Sequence, residues 1–415
     1  MTRYLAPLAL LPDGWTRDVI LEPGPDGLLS RVAVAPSPDA DLDAGVGAGE
    51  APAQRLPGPV VPGIVNAHSH AFQRALAGGA EVRSGPEGGD SFWSWREAMY
   101  RFLAVLDPDQ VEAVAARVYV EMLRHGYTRV VEFHYLHNDP RGRPYADPAE
   151  VARRLVRAAE SAGIGLTLLP VLYRHGGFGG ASPEPAQRRF ILEVDRFLEL
   201  LEVVRRWTAE GCEPGFAFHS LRAVTPDEMV RVLEAPVTDA LPRHIHVAEQ
   251  EREVAACRTW SGSRPVAWLL DHAPVDGRWS LVHCTHMTPE EGARLARSGA
   301  VAVVCPATEG NLGDGFFSLA GHLQEGGRLA VGSDSHVSVS PVEELRWLEY
   351  GQRLRSRTRI VAAGAHASVA RTLLEAVWEG GAGAAGGPAA GLAEGRRADW
   401  VVLDGEHPAL AGRSG

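Results

Sequence analysis

The chain of 415 residues contains no lysine; all 41 of its basic residues are arginine. That excludes a Walker A phosphate loop, a lysine Schiff base and a metal pair bridged by a carboxylated lysine. Cysteine is scarce as well. Cys212, Cys257, Cys284 and Cys305 form no CxxC pair, which argues against a cysteine zinc site and makes reduced cytoplasmic thiols the default. No apolar run approaches the roughly 20 residues of a membrane helix. The N-terminal YLAPLALLP is short, broken by proline and without a basic leader, so it reads as a first β-strand rather than a signal peptide. A net charge of −11 and a pI near 5.8 argue against nucleic acid or an anionic membrane as partner.

What is present is ordinary globular composition, 45% hydrophobic and 22% charged, on a chain too long for one core. From Val60 to about Arg359, eight short apolar runs recur: VVPGIVNAHSH, TRVVEFHYL, GIGLTLLPVLY, PGFAFHSLRAV, RHIHVAEQ, WSLVHCTHM, AVAVVCPAT and RLAVGSDSH. Helix-period stretches lie between most of them, among them DPDQVEAVAARVYVEMLRHG and QRRFILEVDRFLELLEVVRRW. This alternation predicts an α/β fold, a (β/α)8 TIM barrel over residues 60–394. The turn-rich residues 1–59 and the late ADWVVLDG within 395–415 are expected to pair as a small β-domain. DADLDAGVGAGEAPAQ reads as a linker and EGGAGAAGGPAAG as a flexible loop without chemistry.

In such a barrel the chemistry lies at the C-terminal ends of the strands, where the unusual polar residues cluster. The first strand ends His68-Ser69-His70. Alternation points both imidazoles the same way, about 6 to 7 Å apart along the backbone. The fifth ends His244-Ile245-His246 with Glu249 just beyond; His244 and His246 share a face. The sixth carries His283, and the eighth ends Ser333-Asp334-Ser335-His336. Imidazoles and a carboxylate at one rim suit one zinc or another borderline divalent ion with a position left for water. Such an ion brings the pKa of bound water to roughly 7. Glu249 is placed as its proton shuttle, and His283 to stabilise the tetrahedral centre.

PGIVNAHSH, HVAE, the strand-six histidine and SD match the pattern of the amidohydrolase superfamily, in its mononuclear deaminase branch. More specifically, GDSFWSWREAMYRF, VEFHYLHNDP, FHSLRAV, CPATEGNLGDGFF and GSDSHVSVSPVEELRWLEYGQRLR resemble the formimidoylglutamate deiminase family. The resemblance spans about Pro57 to Asp404. It implies zinc-dependent hydrolysis of N-formimino-L-glutamate to N-formyl-L-glutamate and ammonia, a step of histidine degradation. Carried over by motif, the metal ligands are His68, His70, His246 and Asp334; His246 is preferred to His244 because it stands three residues before the glutamate. The catalytic residues are Glu249, His283 and Asp334. Gln73, Arg96, Tyr135, His219 and Arg222 are implied to bind the substrate.

Chemistry supports the substrate class. A dicarboxylate meets a chain of net charge −11, so attraction must come from local guanidinium forks such as Arg96 and Arg222. Trp93 and Trp95 are expected to be core residues, with a lid as the second reading. Asp334 is expected to accept a proton from the attacking water and Glu249 to pass one to the departing nitrogen. The resemblance further implies a homodimer, and the reduced thiols place it in the cytoplasm. Gly310 stands where the family pattern leads one to expect alanine. The chain ends soon after VVLD, which raises the expectation of a shortened β-domain. The alternative function is another mononuclear deaminase acting on a nucleobase or guanidino compound; a different class altogether would be a non-catalytic scaffold, which would typically have lost its ligands.

Overall fold

In the computed structural model, residues 2–35, 53–82, 90–364 and 366–412 are described. Most of DADLDAGVGAGEAPAQ lies outside them. The chain divides into two compact units, one of residues 1–64 with 387–415 and one of residues 65–386.

The first unit is a six-stranded sheet. Arg3–Leu11, which contains YLAPLALLP, forms a hairpin with Gly14–Pro23 and pairs on its other side with Ala53–Arg55 and Val60–Pro62. Leu29–Val34 and Trp400–Val402 are its outer strands. Ala6, Ala9, Val19, Leu21 and Val60 pack together as its buried core. Trp400 closes that core edge-on against Tyr4.

The second unit is built on eight parallel strands, each falling in one of the eight apolar runs: Ile64–Ser69, Tyr127–His134, Gly165–Leu172, Phe216–Ser220, Arg243–Val247, Trp279–His283, Val301–Val304 and Arg328–Val331. They are buried along almost their whole length, as a sheet covered on both faces requires. The barrel closes at its C-terminal end. The Asp334 amide donates to His68 O (3.0 Å) and the His70 amide to Asp334 O (3.1 Å). The strand ends that carry the polar residues are therefore also the seam of the barrel.

Helix Pro108–His125 follows its sequence signals closely. Asp107 and Gln110 form a reciprocal capping box, proline occupies the first turn, and Gly126 ends the helix at φ 101°. The stretch QRRFILEVDRFLELLEVVRRW is helical only from Val194 to Arg206. Its first part is held as a loop by Arg189, whose buried guanidinium donates to the carbonyls of Leu106 and Asn138 and to the Tyr145 hydroxyl. Apolar spacing alone cannot register that tertiary anchor.

EGGAGAAGGPAAG is not a loop over most of its length. Residues up to Ala385 are the last turns of helix Val369–Ala385, which Gly386 caps at φ 73°. These turns cover the N-terminal mouth of the barrel. Ala384 O accepts from His244 Nε2 (2.8 Å) and Ala385 O from Thr167 Oγ1 (3.0 Å). The glycines are there for close approach: a Cβ on Gly380 would lie 1.8 Å from Leu329 O.

Candidate active site

Strand alternation aims His68 and His70 into the barrel and turns Ser69 away from it. His68 Nε2 and His246 Nε2 are 3.0 Å apart, and Asp334 Oδ1 is 3.4 Å from the Nε2 of both His68 and His70. Burial holds all three imidazoles below their ordinary pKa, His68 down to about 3, so they are neutral. The Nδ1–H of His70 donates to Phe133 O (3.0 Å) and that of His246 to His219 O (2.9 Å). This fixes the tautomer and leaves the Nε2 lone pairs pointing at one another. Despite its burial, Asp334 is held below the usual carboxylate range by the His68 hydrogen bond and the surrounding imidazoles. Three imidazole nitrogens and an anion converging at one point are a donor set that fits a divalent ion of the zinc type. His244 is not part of it, since its ring is committed to Ala384 at the other mouth.

His283 lies beside this cluster between two carboxylates. Its Nε2 is 3.6 Å from Glu249 Oε1 and its Nδ1 is 3.3 Å from Glu309 Oε1. Burial works against the imidazolium, but Glu249 and Glu309 outweigh it and raise the His283 pKa. Burial likewise raises the Glu249 carboxyl above the usual range, with His283 opposing. The amides of Ala248 and Glu249 both donate to Glu253 (3.1 Å each), which holds the loop that presents Glu249.

The backbone here is strained. Ala248, His283, Cys284, Asp334 and His336 adopt φ between 45° and 75°, a region ordinarily left to glycine. Each costs about 1–3 kcal/mol that the surrounding structure must offset, a pattern that accumulates at functional sites.

A cavity opens over these residues. His70, His246, Glu249, His283 and Asp334 form its floor, while His68 lies sealed beneath. All five residues expected to bind substrate line it. Gln73 donates through Nε2 to the Tyr135 hydroxyl (3.1 Å), leaving its Oε1 buried without a partner. His219 lies on the wall above His246, their rings 5.1 Å apart. Arg96 and Arg222 face the same space, each with a buried Nε lacking a partner. Burial alone would lower the Arg222 pKa, but the charges of Glu253 and Glu249 raise it, so the guanidinium stays charged.

Trp93 and Trp95 are not core residues. Both sit half-buried on helix Phe92–Leu103; Trp95 lines the cavity, and the guanidinium groups of Arg96 and Arg252 flank the Trp93 ring at 4.6 and 4.3 Å. Gly310 is exposed on helix Pro306–Leu312, and an added methyl would meet nothing within 4 Å, so the departure from alanine is sterically neutral. Gly310→Ala is expected to raise stability by about 0.5–1 kcal/mol through helix propensity, read as a higher Tm with unchanged turnover.

Several supporting residues were given no role by the sequence. Glu132 accepts from Ser69 Oγ and from the Ala71 amide, tying strand two to strand one behind the histidines. His336 joins the same layer through Ser69 and Ser333. Glu309 would have been visible only as an acidic residue in the first turn of a short helix. Tyr100, Tyr173 and Gln187 also line the cavity, and Gln187 sits in the stretch whose periodicity reads as helix.

Residues 60–413 match the Amidohydrolase family. The chain is 54% identical over its whole length to a formimidoylglutamate deiminase of Pseudomonas aeruginosa, covering 89% of that protein. It is 26% identical to a 5-methylthioadenosine/S-adenosylhomocysteine deaminase of Haloquadratum walsbyi, over 85% of this chain and 72% of the relative. Among solved structures, an amidohydrolase from Brucella melitensis superposes with a TM-score of 0.91 at 47% identity, over 100% of this chain and 89% of the other. With its barrel, its histidine cluster and these relatives, the chain belongs to the amidohydrolase family of metal-dependent hydrolases and, within it, to the formimidoylglutamate deiminases.

Proposed function

We propose that this site hydrolyses N-formimino-L-glutamate to N-formyl-L-glutamate and ammonia, as a step of histidine degradation. One observation carries the reading: a single cavity joins the acceptor cluster on its floor to two guanidinium groups with unpaired buried nitrogens on its walls. That is the complement of a linear amidine bearing two carboxylates. A nucleobase would instead call for neutral groups that read ring edges.

His68, His70, His246 and Asp334 would hold one zinc ion, which when bound supplies an acidified water and a polarising charge at the formimino carbon. Arg96 and Arg222 bind and orient the dicarboxylate by charge-assisted hydrogen bonds. Gln73, Tyr135 and His219 flank the reacting end. As water adds to the formimino carbon, Asp334 accepts its proton. The His283 imidazolium, paired with Glu309, hydrogen-bonds the oxygen of the added water. Glu249, whose raised proton affinity lets it carry a proton near neutral pH, delivers one to the departing nitrogen of the amidinium and takes up the remaining proton of the added water as the carbonyl forms. The carbon–nitrogen bond to the terminal amino group breaks, ammonia leaves, and the formyl amide remains.

The four cysteines are buried and unpaired, which supports a cytoplasmic setting. Among the described residues, no helix is long and apolar enough to cross a membrane. A homodimer is the assembly we favour, with the exposed stripe Trp347, Tyr350 and Leu354 of helix Pro341–Ser356 supporting it; sedimentation equilibrium reads it directly.

The reaction is tested by ammonia release from N-formimino-L-glutamate, with N-formimino-glycine, guanine and cytosine as comparisons. Rapid release from the glutamate derivative alone, abolished by a chelator and restored by zinc, is expected. Turnover of a nucleobase would sink the substrate assignment and leave the metal site standing.

A further inference from the structure

Beyond the groups already discussed, the cavity wall carries a second polar cluster made of Tyr100, Tyr173 and Gln187. Gln187 is 2% exposed, and both its Oε1 and its Nε2 make hydrogen bonds. Its Oε1 accepts from the Glu184 amide (2.7 Å), which fixes the amide orientation, and its Nε2 donates to the Tyr173 hydroxyl oxygen (2.7 Å). With that lone pair occupied by a donor, the Tyr173 proton must be given elsewhere.

The two phenols belong to the arginine end of the cavity. The Arg96 guanidinium lies 5.5 Å from the Tyr100 ring, and Arg222 lines the same cavity as both phenols. Phe190, 1% exposed, packs on the rings of both phenols (5.8 and 5.3 Å) and holds them in place. Burial raises both phenol pKa values, so they remain neutral O–H donors. Ring contacts run from His246 to His219 (5.1 Å) and from His219 to Tyr173 (4.3 Å), so Tyr173 lies one side chain farther from the metal-site floor than His219.

We infer that Tyr173 and Tyr100 are specificity-determining residues that donate to the substrate's side-chain carboxylate, the one farther from the formimino carbon, while it lies between Arg96 and Arg222. Gln187 is the positioning residue that aims the Tyr173 proton at it. This rests on the deiminase reading above and deepens it. Arginines alone supply charge; the hydroxyls add a directional requirement for an acceptor at that distance, and a substrate with a methyl group there cannot meet it.

The test uses the zinc-loaded enzyme and two substrates, N-formimino-L-glutamate and N-formimino-L-norvaline, whose side chain ends in methyl instead of carboxylate. Tyr173→Phe is expected to lower kcat/KM for the glutamate derivative about ten- to a hundredfold, mainly through KM, the loss typical of a hydrogen bond to a charged group. The preference for glutamate over norvaline should shrink by a similar factor. Gln187→Glu should reproduce that loss, because a carboxylate there would accept the Tyr173 proton and turn it away from the substrate; Gln187→Leu should lose less. In the Tyr173→Phe background, Gln187→Glu should add little. An equal fall on both substrates, or a fall confined to kcat, would show that Tyr173 only packs the wall and would overturn the inference. Wild-type enzyme inert toward the glutamate derivative but active on another amidine or a nucleobase would overturn the deiminase reading, and this inference with it.

Discussion

Glu249→Gln is expected to lower kcat about a thousandfold or more while the protein still binds one metal ion per chain. A thousandfold is about 4 kcal/mol of transition-state stabilisation, within the span of a positioned general acid–base. The substitution keeps shape and volume and removes only the ability to carry a proton. Glu249 stands outside the cluster of converging nitrogens and Asp334, and faces His283 at 3.6 Å instead. Its loop is fixed by Glu253 through backbone amides, so the amide variant should retain its geometry. The checks are ammonia release at saturating substrate and metal content by elemental analysis. Loss of the metal would move Glu249 into the ligand set. A fall of tenfold or less would mean that another group carries the proton.

The Glu249 assignment also shows how far the sequence reaches. Two-residue alternation brings His68 and His70 to one face and does the same for His244 and His246, and the structure agrees in both cases. Alternation says nothing about depth along the barrel. His244 and His246 both point inward, yet one serves the reacting end and the other bonds helix Val369–Ala385 at the opposite mouth. Only the spacing to Glu249, read through the family resemblance, separates them. The residues with no signal are those whose role depends on a partner far away in sequence. Glu309 acts through His283, Glu132 through Ser69, and Gln187 through Tyr173. Burial and pairing turn such ordinary polar residues into parts of a site, and neither is a local property.

The stretch EGGAGAAGGPAAG is misread for a related reason, and it supports a prediction about stability. By propensity alone, Gly380→Ala within helix Val369–Ala385 should stabilise by about 1 kcal/mol, as at Gly310. The surroundings reverse that sign. At Gly380 the added methyl would sit 1.8 Å from Leu329 O, a backbone atom of the eighth barrel strand that cannot swing aside. Gly381 and Gly383 are similarly crowded, by Val65 and by the Arg328 guanidinium, so the helix cannot roll to make room. To relieve the clash it must lift off the strands, which strips His244 Nε2 and Thr167 Oγ1 of their acceptors at the barrel mouth. Overpacking typically costs about 1–3 kcal/mol, and two unpaired buried donors add about 1–3 kcal/mol each. Gly380→Ala is therefore expected to lose at least about 3 kcal/mol and several degrees in Tm, whereas Gly310→Ala gains. Thermal unfolding of the two variants side by side reads the contrast. A Gly380→Ala protein as stable as wild type would mean that the helix does not press on the strands, and that composition alone was the better guide to this segment.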